Sequence, residues 1–172
     1  EGESLSILYW GKKIGKLGSD FEKSIDSALA IINSGSSASI TGSDGDDLIT
    51  AGGGNDTLTG GTGNDTFIVN NSDNATITDL SQIDTLQVGT GASASVSLAG
   101  NFTATNNLSN DGGVTIDAKG YTLDVSAATG SGGFTITGSP SAIGSTNADT
   151  LTATYGGYVS GGAGNDTLNI WA

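Results

Sequence analysis

The chain reads as an all-β protein, a parallel β-roll or β-solenoid preceded by a short N-terminal strand and one amphipathic capping or docking helix. Three observations predict this. Four nonapeptides share one pattern: GSDGDDLIT at 42–50, AGGGNDTLT at 51–59, GGTGNDTFI at 60–68 and GGAGNDTLN at 161–169. A repeat of the form GGxGxDxUx, with U large and apolar, winds a parallel β-helix. Elsewhere, apolar pairs recur roughly every 8 to 15 residues with their members two apart, so both point to one face of a strand. Finally, 29 of the 172 residues are glycine and only 35% are hydrophobic, without a collagen-like period, which fits a repetitive fold with many tight turns.

The organisation follows from composition along the chain. Residues 1–35 hold Lys12, Lys13, Lys16 and Lys23, whereas 36–172 hold only Lys119, so a strand-loop-helix cap or anchor is expected at 1–35 and the solenoid at 36–172, divided in the Gly/Ser stretch 34–39. Ser4 to Trp10 alternates and is rich in strand formers, and GKKIGKLG at 11–18 reads as a turn or loop. Ser19 and Glu22 form a capping box. Phe21, Ile25, Ala28, Leu29 and Ile32 recur at helical spacing and Gly35 stops the run, which predicts a helix over about 19–33. Its apolar face needs a partner: either the open end of the solenoid, whose strand edges require capping, or a larger assembly.

Beyond residue 40 the pairs Leu86 with Val88, Val96 with Leu98, Val114 with Ile116, Leu123 with Val125, Phe134 with Ile136 and Leu168 with Ile170 mark successive strands, with Ile77 and Leu151 as single members. The middle, 70–143, keeps this rhythm but loses the glycine-aspartate loops. It either continues as degenerate coils held by side-chain and backbone hydrogen bonds, or departs into a less regular β-layer. Pro140, in GSPSA, reads as a turn residue, and GSTNADTLT at 144–152 restores the repeat with Asn147 where a glycine belongs. About seven turns stacked at ~4.8 Å make a body roughly 30 to 35 Å long.

The formal charge of −13, from 18 acidic residues against five lysines and no histidine, must be neutralised by something, and multivalent cations suit it. Nucleic acid does not, because it needs a basic footprint. Cysteine is absent, and no apolar stretch approaches the ~18 residues of a membrane-spanning helix. Glu1 and Glu3 are acidic and Lys12 and Lys13 follow LSILYW, so the start does not read as a signal peptide; the missing initiator Met points to an excerpt or a processed chain.

Each nonapeptide divides into a six-residue turn and a three-residue strand. Glycines bring backbone carbonyls together in the turn, and the aspartate adds a hard anionic oxygen. Calcium takes six to eight such oxygens, whereas zinc wants His or Cys, which the chain lacks. Because two nonapeptides close one coil, Asp47 and Asp65, 18 apart, should face one another across a metal.

On these motifs, residues 42–68 and 144–169, about a third of the chain, resemble the RTX or hemolysin-type calcium-binding repeat family. The resemblance implies Ca2+ as cofactor and a first site made by Ser43, Gly45 and Asp47 with Gly60, Thr62 and Asp65. On the opposite flank it implies Gly52, Gly54 and Asp56 with a turn near 69–74, where Asn74 stands in the aspartate position and Asp73 beside it. At the far end it implies Ser145, Asn147 and Asp149 with Gly161, Ala163 and Asp166, the aspartates being 17 apart instead of 18. It further implies export from a Gram-negative bacterium by a one-step system, with folding driven by extracellular calcium.

GKKIGK at 11–16 lacks phosphate-loop spacing and reads as a solvated basic turn, or as a contact for an acidic neighbour chain or anionic glycan. Tyr9, Trp10, Tyr155, Tyr158 and Trp171 either cover the ends of the core or stack on sugars. Asp111, Asp117 and Asp124 are not placed around a scissile bond by spacing, and no His or Cys supplies a nucleophile and base, so no enzymatic activity is expected. Three roles compete. First comes a calcium-binding extracellular structural or assembly module of a secreted cell-surface protein (surface layer, filament or adhesin), with self-association or a neighbouring structural protein as partner. Second is a secretion and folding module of a larger exported enzyme or toxin, and third a virion fibre or appendage.

Overall fold

The computed structural model describes residues 5–9, 12–13, 29–33, 36–70 and 73–170. Alternation of apolar and polar residues over short segments gives 17 strands and no helix among the described residues. One sheet is built from β1 (Leu5–Tyr9), β2 (Lys12–Lys13), β3 (Ala30–Asn33), β5 (Leu48–Ala51), β7 (Thr66–Val69), β9 (Thr85–Val88) and β12 (Leu108–Asn110). The other holds β4 (Ser39–Thr41), β6 (Asn55–Thr59), β8 (Asn74–Leu80), β10 (Ser93–Leu98), β13 (Gly113–Asp117), β15 (Phe134–Ile143), β16 (Thr150–Ser160) and β17 (Thr167–Ile170), with β11 (Phe102–Thr103) and β14 (Leu123–Asp124) beside β15.

From β3 onward every pairing is parallel, and the chain alternates between the sheets as a solenoid must. Ala30 lies opposite Leu48 and Leu48 opposite Thr66, a step of 18 residues, or two nonapeptides. This register stacks the large apolar residue of each repeat on its counterpart. Ile31, Ile49, Phe67, Leu86 and Leu108 form one buried file. Ile40, Leu58, Ile77, Val96, Ile116, Ile136 and Leu151 form the other, which ends at the exposed Leu168. Each fully buried side chain contributes about 1.5–3 kcal/mol, so these two files supply the hydrophobic cohesion of a chain poor in apolar residues.

The outward positions of the second sheet are equally regular. Ser39, Thr57, Thr76, Ser95, Thr115, Thr135, Thr150 and Thr167 stand in register on consecutive strands, and Thr59 Oγ1 lies 2.8 Å from Thr78 Oγ1 in the next file. The first sheet has no such uniformity, with Leu48, Thr66 and Thr85 in one outward file.

The middle of the chain continues the coil, with a wider turn. Leu86 pairs with Leu108 and Phe102 with Leu123, steps of 22 and 21 residues. The extra residues form a third side, where β11 and β14 stack, and β15 spans two sides by pairing first with β13 and then with β14. Hydrogen bonds replace the glycine-aspartate loops here: buried Asn110 donates its Nδ2 to Gly133 O (2.8 Å) and accepts Gly112 N at Oδ1 (3.0 Å).

Three expectations are corrected. The helix over 19–33 is not supported: residues 30–33 are strand β3, and 19–28 lie outside the described residues. The reason is pairing. Ile31 and Asn33 point inward and Ile32 outward, a period of two, and Ile31 stacks on Ile49; sheet pairing of β-branched residues overrides the helical spacing. In place of a helix, β1 closes the first sheet, running antiparallel to β3 with Leu8 opposite Ala30, and β2, read as loop, pairs with β1 through Tyr9 and Lys12. Pro140, expected in a turn, lies within β15 at an exposed position where the register with β16 shifts twice, a place where a missing N–H breaks no ladder bond.

Candidate metal centre

On one flank three consecutive turns end in an aspartate whose carboxylate folds back into the coil. Asp47 accepts Leu29 N from the rung above at Oδ1 (2.6 Å), and at Oδ2 it accepts Ser43 N (2.5 Å) and the Ser43 hydroxyl (3.1 Å). One rung down, Asp65 Oδ1 accepts Asp47 N (2.9 Å). One further down, Asp84 Oδ1 accepts Asp65 N (3.0 Å) and its Oδ2 accepts Ser81 N (2.7 Å). All three carboxylates are buried, at 2%, 1% and 3% exposure.

A buried carboxylate is costly unless each oxygen finds a donor or a cation. Asp65 Oδ2 finds no hydrogen-bond donor. Burial pushes the Asp65 pKa up to about 6 despite the lowering effect of the Asp47 amide, and the negative charges of Asp84, Asp47 and Asp79 raise it further.

Backbone oxygens gather beside these carboxylates. A side chain at Gly42 would collide with both Asp47 Oδ2 and the Gly60 carbonyl, and one at Gly60 with Asp65 Oδ2. A side chain at Gly61 would run into the Ser43 carbonyl, and one at Gly63 would lie 2.6 Å from Gly45 O; both glycines have φ above +100°, a region only glycine enters readily. The structure therefore brings Ser43, Gly45, Asp47, Gly60 and Asp65 together between two stacked turns. Thr62 lies on the lower turn, its hydroxyl donating to Asp44 O (3.3 Å). Among the described residues no three side chains of His, Cys, Asp or Glu converge, so any ion here must draw most of its shell from carbonyls. That donor set, all hard oxygen with one unsatisfied buried carboxylate oxygen, fits calcium.

The far end repeats the arrangement. Asp149 accepts Phe134 N at Oδ1 (2.6 Å) and Ser145 N at Oδ2 (2.6 Å), and Asp149 N donates to Asp166 Oδ1 (3.0 Å). A side chain at Gly144 would collide with the Gly161 carbonyl and lie 2.6 Å from Asp149 Oδ2; one at Gly164 would lie 2.5 Å from Asn147 O. Ala163 N donates to Ser145 O (3.2 Å). The 17-residue step is carried evenly by the pairing of Thr150 with Thr167 through Ala153 with Ile170. Asn147 turns its side chain to the rung above, donating Nδ2 to Gly130 O and Gly132 O (both 3.2 Å).

The opposite flank differs. Asp56 faces upward, its Oδ1 accepting Asn33 Nδ2 (2.9 Å) and Ala38 N (2.8 Å) and its Oδ2 accepting Gly52 N (3.2 Å). Asn33 Nδ2 also donates to Ser36 O (3.1 Å), so a carboxamide bridges two stacked turns on this flank. Below, Gly54 O accepts Asn74 N (3.3 Å) and Asp73 Oδ1 accepts Gly53 N (3.0 Å); Asp73 is buried and Asn74 exposed.

Two participants escaped sequence reasoning, and both left a signal. Asp84 precedes TLQV as Asp65 precedes TFIV, one coil apart. Asn33 opens NSGSSASIT at 33–41, a degenerate repeat hidden in what reads as a linker.

The RTX calcium-binding nonapeptide repeat matches this chain in four copies, over residues 34–67 and 158–169. The match thus takes in the degenerate turn after Asn33, and leaves out 144–157, where the geometry of the first site nevertheless recurs. No match was found among curated proteins or among solved structures.

Proposed function

We propose, for a chain that carries RTX calcium-binding nonapeptide repeats on a parallel β-solenoid, the role of a calcium-folded structural module of a secreted surface protein such as a surface layer, filament or adhesin. The observation that carries the calcium part is Asp65 Oδ2, buried at 1% residue exposure with no donor and held among like charges.

Ser43, Gly45 and Gly60 would offer carbonyls, and Asp47 and Asp65 carboxylates, to an ion between the turns; Asp149, Gly161 and their neighbours would do the same at the far end. Bound calcium supplies positive charge that neutralises facing carboxylates and ties two rungs together. Without it, the glycine-rich turns are held against carboxylate repulsion only by the backbone ladders and the apolar files. Low cytosolic calcium keeps such a chain loose before export, and the millimolar calcium outside matches the affinity range of extracellular modules. The hydroxyl-rich outer surface and the absence of His and Cys in the sequence favour a structural role over catalysis.

Circular dichroism during calcium titration of chelator-treated protein tests the first part, with a cooperative gain of β-signal expected; spectra that do not move would sink it. Light scattering on the calcium-loaded protein tests the second. Ordered oligomers or filaments are expected, and a clean monomer at all concentrations would favour the alternative of a secretion and folding module.

A further inference from the structure

We propose that the outer face of the second sheet binds ice, its threonine files holding a layer of water in the order of the crystal. This role goes beyond the calcium reading and stands on other observations, the register and chemistry of the residues that point outward from β4 to β17.

The first file, from Ser39 through Thr57, Thr76 and Thr115 to Thr167, places one hydroxyl residue on each of eight consecutive rungs. The two places where the register of this sheet shifts, after Val96 and after Ile136, lie past the file and leave it unbroken. Two residues further along the strands stands a second file, with Thr41, Thr59, Thr78, Thr137 and Thr152. Neighbouring strands lie ~4.8 Å apart and two residues span ~6.6 Å, so the backbone sets both intervals of a two-dimensional net. On the prism faces of hexagonal ice, water oxygens repeat at intervals close to both.

Ice presents neither charge nor apolar surface, only a fixed lattice of hydrogen-bond donors and acceptors. A face that fits it must be uncharged and rigid, with hydroxyls left for water. Thr57, Thr76, Thr115 and Thr135 are exposed, and among the described residues their hydroxyls take no partner within the protein. β-Branching restricts each of them about χ1. In the second file the Thr59 and Thr78 hydroxyl oxygens are 2.8 Å apart, a separation that neighbouring oxygens also keep in ice. The methyl beside each hydroxyl restricts the orientations open to first-layer water, which favours a cage that continues into the lattice. Single contacts of this kind are weak. A preorganised array makes many of them in one event, with little side-chain entropy left to lose.

Of the 18 acidic residues only Asp117 enters the two files, and Lys119 pairs with it. The first sheet lacks the net: Leu48, Thr66 and Thr85 share one outward file, and Ile68 pairs with Gln87 in the next. A crystalline polysaccharide fits the threonine face less well, because its sugar rings are gripped by stacked aromatic side chains and neither file contains one.

Nanolitre osmometry and partition into slowly grown ice, on the full chain in calcium-containing buffer, test the face. The wild type is expected to facet growing crystals, hold back their growth below the melting point, and enter the ice several-fold more than an inert protein does. Thr115→Tyr sets a ring in the middle of the net without touching the core, and should cut the growth delay about ten-fold at equal concentration. Gln87→Tyr, exposed on the opposite sheet, should keep it within about two-fold. Circular dichroism melts check the fold of each variant, and Thr76→Tyr replaces Thr115→Tyr if the latter does not fold. Round crystals with folded wild type excluded from ice overturn the proposal, and so does ice binding that both tyrosine variants of the net leave intact. Retention on insoluble chitin or cellulose without any effect on ice overturns it in favour of a sugar lattice. A chain that folds without calcium and still facets ice removes the calcium reading and leaves this one standing.

Discussion

Replacing Asp65 by Asn should stabilise the protein without calcium and weaken it with calcium. The folded-state pKa of about 6 lies above the ordinary 3.8, so the fold prefers the protonated carboxyl. The penalty of ionisation is absent below about pH 4, grows as pH rises, and is complete above about 6. A shift of roughly two units corresponds to about 3 kcal/mol. Asn removes the charge and keeps an oxygen for the Asp47 amide. In chelator near pH 7.5 the melting midpoint of the variant should therefore exceed that of wild type by roughly 5–10 °C, at about 2–4 °C per kcal/mol for a chain of this size. Near pH 4 the two should melt together. In calcium the order should reverse once the ion is in sufficient excess, because wild type gains about 4.1 kcal/mol at a concentration 1,000 times its Kd, more than the deficit of about 3 kcal/mol. Thermal melts followed by circular dichroism at both pH values, with chelator and with calcium, decide the matter. An Asn variant less stable than wild type in chelator near neutrality, or equally stabilised by calcium, would refute the reasoning.

Three further outcomes are expected. Gly42→Ala places a methyl group against Asp47 Oδ2 and the Gly60 carbonyl, and should weaken one calcium equivalent at least ten-fold by titration while leaving the far-end site intact. Asn33→Ala removes the amide that links Asp56 Oδ1 to Ser36 O, leaving the Ala38 amide on Asp56 Oδ1, and should cost about 1–3 kcal/mol by urea denaturation, equally with and without calcium. Calcium affinity should fall as pH drops through about 6, where Asp65 is half protonated in the ion-free fold, with the midpoint of that loss read from titrations across the pH range.

The coil was legible because its repeat is covalent information: the same residue types recur at the distance that the backbone needs to close one turn. Asp47 and Asp65 could be set opposite one another from an interval alone, and Ile40, Leu58 and Ile77 stack as their position in the repeat requires. What stayed hidden depended on neighbours. Ile32 fits the helical spacing of the sequence, and only the pairing of Ala30, Ile31 and Ile32 with β5 decides for strand. Asn33 carries no metal-binding signature, since its role exists only because Asp56 lies beneath it. Asp79 sits outside the glycine pattern and is drawn in by amides one rung above, which no local motif encodes.

The file of Ser and Thr on the outer surface of the second sheet has a consequence for how this polyanion meets its surroundings. Its side chains are short and neutral, the threonines also stiff about χ1, and Asp117, at the end of β13, is matched by Lys119 at 2.6 Å. Electrostatic repulsion is thus concentrated along the turn edges, and this broad facade is left nearly silent. For a molecule of net charge −13, approach is directionally biased: anything of like sign is fended off edge-on and meets little resistance face-on.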